Sequence, residues 1–381
     1  MTIIFHSSVA ALALSLASLS VLLAGCGPSL SGGPSRLSLA GHAPSIAPAP
    51  APRTLESTLR LTDDVEQIPF NPEIAHSAHG DTVAVWEQFD GTRYNIWANT
   101  RRAHQDWGRA SLTGNSDAGH AYDPHVVINA GGRAVAVWVQ SGDSARSYQL
   151  WASHLEPGRQ ESQESQGSQG NQGNQGSGWS TATRLEANHS GLAYSPQVAI
   201  DDHGNATAVW QQSDGRRFTV RASRYAPDTG WGRAVRLDKP RGKFSLGAPQ
   251  VAMDQNGNAM VAWPQFLGSQ SELWANRFTA GRGWGQAARI ESVLGQAHSL
   301  RMRPEPGDAR DASDTQGNFI AVWQQASPHG ANFWASRYRE GQGWRTSRHG
   351  CTGLQVATTA SRGELPVSRG RGSLDRSEDC Y

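Results

Sequence analysis

The chain has 381 residues, with 34 basic side chains against 33 acidic ones. That balance removes the electrostatic reason to expect a nucleic-acid partner, and three cysteines exclude a scaffold built on disulfides. Glycine (42) and tryptophan (14) are abundant, and many short apolar runs punctuated by Gly and Asn replace any long helical period, which points to an all-β protein.

Residues 1–25 read as an export signal, because the apolar run from Val9 to Leu23 is too short for a stable membrane anchor. Met1 to Ser8 carries no Lys or Arg. The run ends at Leu23-Ala24-Gly25-Cys26, which resembles the lipobox of bacterial lipoproteins. That resemblance implies acylation of Cys26, a lipid bilayer as partner, and a lipid-anchored place in the bacterial cell envelope. Gly27 in place of an Asp favours the outer membrane. Residues 26–53 are rich in Pro, Ser and Ala and end in Ala47-Pro48-Ala49-Pro50-Ala51-Pro52, the composition of an extended tether.

From residue 54 to 346 the chain repeats. Ala84-Val85-Trp86-Glu87-Gln88 returns as Ala136-Val137-Trp138-Val139-Gln140, Ala208-Val209-Trp210-Gln211-Gln212, Val261-Ala262-Trp263-Pro264-Gln265 and Ala321-Val322-Trp323-Gln324-Gln325, with tryptophans 52, 72, 53 and 60 residues apart. Such a period marks a repeat architecture. In each unit a short strand of the form Pro196-Gln197-Val198-Ala199 leads through a turn such as Asp201-Asp202-His203-Gly204-Asn205 into this second strand. A third strand carries Trp97, Trp151, Trp274 or Trp334, and a fourth opens at Trp107, Trp179, Trp231, Trp284 or Trp344. Tryptophans at fixed strand positions are what a packed interface between repeats needs, and four short strands per unit make a β-propeller blade. The units resemble the tryptophan-rich repeats of bacterial proteins grouped with sialidase-like propellers. The expectation is a propeller of about five blades, either ragged at its closure or a larger propeller cut short.

Two insertions interrupt the pattern. Residues 159–178 are a Gln/Ser/Gly/Asn tract, read as a surface loop, and Ser292 to Gly307 reads as a second loop, placing the first strand of the fifth unit at Ala309-Arg310-Asp311-Ala312. Residues 347–381 are polar and read as a disordered tail, in which Cys351 and Cys380 either pair or stay free.

No residue stands out as catalytic. Gln88, Gln140, Gln212, Gln265 and Gln325 read as satisfying polar groups between blades, or alternatively as binding sugar hydroxyls in a channel. The tryptophans read as packing, with the fourth-strand column the place for exposed ones. Arg224, Arg277 and Arg337 recur at matching third-strand positions, which suits solvated or inter-blade roles better than a convergent cluster. His76 and His79 lack a Cys or Glu at metal spacing, and no cofactor fingerprint is present. The composite expectation is an envelope lipoprotein whose propeller binds a carbohydrate or protein ligand. The alternative is a sialidase-like glycoside hydrolase, which a clustered acidic pair with an arginine group at one channel mouth would favour.

Overall fold

The computed structural model describes residues 68–349 apart from 114–118, 143–146, 158–177, 187–190, 214–215, 240–244, 269, 295–296, 306–316, 328–329 and 346–347. The segment read as an export signal, the tether with Cys26, residues 54–67, the Gln-rich insertion up to residue 177 and the tail from residue 350, with Cys351 and Cys380, lie outside the described residues; Arg348–His349, expected in a disordered tail, is a short strand paired with Gly330–Arg339. All described residues belong to the second of two compact units, Leu59–Tyr381.

The described chain is all strand and turn in a β-propeller fold, and its strands fall into five successive antiparallel units, blades one to five, the second and third joined into one sheet by a parallel contact of Tyr148 with Leu192. In the first blade Phe70–His76, Thr82–Phe89, Tyr94–Arg101 and Ser111–Leu112 pair in chain order. The second repeats this with Ala121–Ile128, Ala134–Ser141, Tyr148–Leu155 and Thr183–Arg184. In the third, Leu192–Ile200, Ala206–Ser213 and Phe218–Ala226 are followed by a fourth strand split into Gly230–Trp231 and Val235–Arg236. The fourth blade splits its first strand as well, into Ser245–Leu246 and Gln250–Met253. The fifth is Ala297–Pro304, Phe319–Ser327, Gly330–Arg339 and a split last strand at Gly343–Trp344 and Arg348–His349.

This corrects one expectation. The first strand of the fifth blade is Ala297–Pro304, inside the stretch read as a loop, and not the segment around Ala309. Leu300 stands where the other units place Pro, which hid the strand. The added residues lie between the first and second strands of this blade instead.

Alternation along the second strand explains the stacking. Successive side chains point to opposite faces. Val83 and Val85, with Ile96 and Ala98 of the third strand, pack against Ala134, Ala136 and Trp138 of the second blade. The same exchange recurs between Val137 with Leu150 and Ala208 with Trp210, between Val209 with Val220 and Val261 with Trp263, and between Ala262 with Leu273 and Ala321 with Trp323. Trp138, Trp210, Trp263 and Trp323 are thus plugs seated in the preceding blade, and the neighbouring alanines give the indole room. Its polar edge is met from within the same strand: Trp86, Trp138 and Trp210 donate through Nε1 to Gln88, Gln140 and Gln212 at 2.8, 3.1 and 2.8 Å. Trp263 and Trp323 keep the burial without this bond.

The Asp-x-x-Gly-Asn segments at 201–205 and 254–258 are tight hairpins. Asp201 N donates to Asn205 O (2.9 Å), Asp201 Oδ1 accepts from Asn205 N (2.8 Å), and Gly204 sits at φ 86°, a conformation that favours glycine. The arginines at the same end bolt neighbouring blades. Arg224 donates to Thr207 Oγ1 (2.8 Å) and Gly257 O (3.1 Å) and lies 3.9 Å over the Phe278 ring. Arg277 reaches Glu340 at 3.1 Å.

At the opposite end the first strand begins close to the end of the second. A Cβ on Gly191 would lie 2.5 Å from Ser213 O, and one on Gly119 2.5 Å from Ser141 O. Gly191 also has φ 141°. Gly191→Ala is therefore expected to cost about 2 kcal/mol, from overpacking and strain together. Urea unfolding checks it; an unchanged midpoint would mean the strand ends separate freely.

Candidate binding face

The same end of the blades carries a repeated irregularity. Asn71, Asp123, Ser195 and Ser299 have φ of 46, 53, 49 and 53°, each inside a register shift between first and second strand. A non-glycine residue held in the left-handed region costs roughly 1–3 kcal/mol and persists only where its surroundings hold it there. Such a bulge bends the strand and re-aims the side chain beside it. That side chain is Phe70, Tyr122, Tyr194 and His298 in turn.

Three of these join aromatic residues at the hairpin between the second and third strands. Tyr94, Tyr148 and Phe218 each open a third strand, and Phe89 closes the second strand of blade one. Ring centroids are 6.1 Å apart for Phe70 and Tyr94, 5.3 Å for Phe89 and Tyr94, and 5.8 Å for Tyr94 and Tyr122. His120 stacks on Tyr122 at 6.0 Å. Tyr194 lies 6.4 Å from Tyr148 and 5.9 Å from Phe218. The first-strand rings of blades two and three therefore pack on the third-strand rings of the blades before them, which gives an aromatic band in two groups, one across blades one and two and one across blades two and three. Phe70, Phe89, Tyr194 and Phe218 are exposed, while Tyr94, Tyr122 and Tyr148 are half-buried. Burial raises the Tyr122 phenol pKa, and Tyr148, Glu87 and Tyr94 push it the same way. Tyr194 is raised by burial and by Tyr148. Both phenols thus stay neutral near physiological pH and offer O–H donors.

Under the band lies a polar floor. Glu87, which varies in the repeated pentapeptide, is buried. Its Oε1 accepts from Asn71 Nδ2 and from Asp123 N, both at 2.8 Å, and so ties two left-handed residues of adjacent blades together. Further along the first strands, His125 places Nδ1 at 3.9 Å from Glu73 Oε1 and Nε2 at 3.7 Å from Asp123 Oδ1. Gln197 Nε2 lies 3.1 Å from His125 Nε2. Two carboxylates thus flank one imidazole on neighbouring inner strands.

The residues singled out from the sequence fall elsewhere. Trp86, Trp138, Trp210, Trp263 and Trp323 are buried, the last four between blades, and Gln88, Gln140, Gln212, Gln265 and Gln325 are buried as well. The fourth-strand tryptophans are not the exposed column expected: Trp179 is buried and Trp107, Trp231, Trp284 and Trp344 are half-buried. The exposed rings are Phe and Tyr. Arg224, Arg277 and Arg337 lie toward the far ends of their strands, away from the band, where Arg337 pairs with Glu305 at 2.9 Å. Among the described residues no group of three or more His, Cys, Asp or Glu side chains is placed to hold a metal ion.

No family model matches the chain, and no curated protein does. Several solved structures are similar to it. One is a protein of unknown function from Dyadobacter fermentans, at 11% identity and TM-score 0.42, covering 73% of this chain and 80% of that one. Another is the intramolecular trans-sialidase from Ruminococcus gnavus in complex with oseltamivir carboxylate, at 9% identity and TM-score 0.42, covering 75% and 85%. A third is the Penicillium chrysogenum α-L-arabinanase complexed with arabinobiose, at 12% identity and TM-score 0.43, covering 74% and 92%. Likenesses of this size carry no argument for activity or substrate, which rests on the site itself.

Proposed function

We propose that the chain is an envelope lipoprotein whose propeller binds glycans on the aromatic band. The observation that carries this reading is the pair of ring groups at one end of the blades, Phe70, Tyr94 and Tyr122 in one and Tyr148, Tyr194 and Phe218 in the other. Flat aromatic faces suit the apolar faces of pyranose rings, and a few convergent polar groups fix orientation. The neutral phenols of Tyr122 and Tyr194 donate to hydroxyl oxygens, and the carboxylates of Glu73 and Asp123 accept from hydroxyl hydrogens. Cys26 supplies the lipid anchor, and residues 26–53 the tether.

A glycan array probed with the full chain tests the binding. Tyr194→Ala is expected to weaken capture about tenfold or more, by analogy with stacked rings at other interfaces. Val235→Ala, on an exposed fourth-strand position, leaves capture unchanged. Equal loss in both variants, or none in the first, removes the band from the reading. For the anchor, Cys26→Ser abolishes lipid labelling and releases the protein from membranes; unchanged partitioning of the variant would overturn that part.

The acidic residues beside His125 favour one second reading, a glycoside hydrolase with Glu73 and Asp123 as its carboxylate pair. It requires new reducing ends from the captured glycan, detected by mass spectrometry, and their loss in Glu73→Gln and in Asp123→Asn.

A further inference from the structure

Each blade presents one face to the blade that follows it, and the third-strand residue at the centre of that face can be compared across all five. Ile96, Leu150, Val220 and Leu273 are 0–1% exposed, whereas Phe333 is 42% exposed. The neighbours follow suit. Val85, Val137, Val209 and Ala262 are buried, and Val322 is only half-buried. Ala98, Ala152, Ala222 and Ala275 are buried, and Ala335 is half-buried. The fifth blade thus carries the apolar face that four others bury, with its centre left open to solvent. In the row of blades such a face is covered chiefly by the first strand and the tryptophan plug of the next unit. Val198, for instance, packs on the face of blade two alongside Trp210.

The chain has a segment of the right kind. Its last described strand, Arg348–His349, pairs with the third strand of blade five at Trp334 and Ala335, so the chain leaves from the edge of this face. Beyond it comes Leu354-Gln355-Val356-Ala357, which repeats Pro196-Gln197-Val198-Ala199 and Pro249-Gln250-Val251-Ala252 at three of four positions. Three strand spacings, roughly 14 Å, separate the fourth strand of a blade from its first. The five residues from His349 to Leu354 span up to roughly 17 Å.

We propose that Leu354-Gln355-Val356-Ala357 docks on the open face of blade five as the first strand of a partial further blade, with Val356 seated over Val322 and Phe333 as Val198 is seated on blade two. A hydrophobic side chain placed there removes apolar surface that no other blade leaves wet. This inference is independent of the glycan-binding reading.

Photo-cross-linking of the full chain carrying Phe333→p-benzoylphenylalanine tests it. The expected product is an intrachain link to a peptide within residues 350–360. Val356→Asp, which places a charge against the apolar face, is expected to lower the yield about tenfold or more, and Val356→Leu to retain it. A link between two copies would show that a second chain covers the face and would overturn the proposal. So would a link elsewhere in the chain, or an unchanged yield in Val356→Asp. The other photo-variant, Val235→p-benzoylphenylalanine, on the exposed side of blade three, gives no tail cross-link if docking is specific; an equal yield from it overturns the proposal as well.

Discussion

Trp210→Ala is expected to destabilise the protein by about 4–5 kcal/mol, toward the upper end of what a buried aromatic deletion costs. Three contributions act together. The indole is fully buried and seated among Val135, Val137, Leu150 and Ala152 of the preceding blade, so its removal leaves a cavity in a sheet-to-sheet contact that has little freedom to collapse. The Nε1 bond to Gln212 Oε1 at 2.8 Å is lost, and a buried amide without its donor adds to the cost. A blade edge loosened on one side also weakens its neighbours, because repeats are held by nearest-neighbour interfaces. Trp344→Ala, at a half-buried position on the last blade, is the comparison and should cost less than half as much. Urea unfolding followed by circular dichroism measures both. A loss below about 1 kcal/mol for Trp210→Ala would contradict the plug role.

The alternation of Ala208, Val209 and Trp210 is the reason the architecture was readable from residues alone. A period of two within a period of fifty or so places one face of each sheet against the next. The same rule conceals the aromatic face. Tyr122 and Tyr194 stand one residue before a left-handed Asp123 and Ser195, and alternation does not carry across a bulge. The available signal was an aromatic residue two positions before a proline, in Phe70-Asn71-Pro72, Tyr122-Asp123-Pro124 and Tyr194-Ser195-Pro196. The fourteen tryptophans do not report it, because their regular spacing belongs to the packing between repeats. Glu87 was hidden for a related reason. It occupies the variable place of a pentapeptide whose other copies hold Val139, Gln211, Pro264 and Gln324. Its function appears only when Asn71 and Asp123 converge on it. Gln211 shows the same position used differently, donating to Leu246 O of the next blade at 3.0 Å. In the fifth unit, Leu300 in place of Pro removes the marker of the first strand, and more residues separate that strand from the second than in the other units.

Glu186→Gln is expected to make the protein more stable at pH 8 by about 2–3 kcal/mol while leaving it unchanged near pH 4. Glu186 lies two residues beyond the fourth strand of blade two, where its Oε1 accepts the third-strand amide of Leu150 at 2.9 Å; Asp238 does the same for Val220 in blade three, also at 2.9 Å. Burial pushes the Glu186 carboxyl up from 4.5 to about 7, against the bond from Leu150, the pull of Arg221 and Arg184, and a bond with Gln212. The folded protein therefore holds a proton that the unfolded chain gives up near pH 4.5. Stability falls as pH rises from there to about 7 and is level above, by about 3 kcal/mol in total. Glutamine keeps the acceptor for Leu150 and has nothing to titrate, so the slope disappears. Arg221 and Arg184 lose a nearby anion in the variant, which holds the gain below the full figure. Paired denaturation curves for parent and variant at pH 4, 6 and 8 isolate this residue from the other carboxylates, because only the difference between the two proteins is read. A variant less stable than its parent at pH 8 would mean that the arginines hold Glu186 ionised in the fold, and the contact between blades two and three would then gain strength, not lose it, as pH rises.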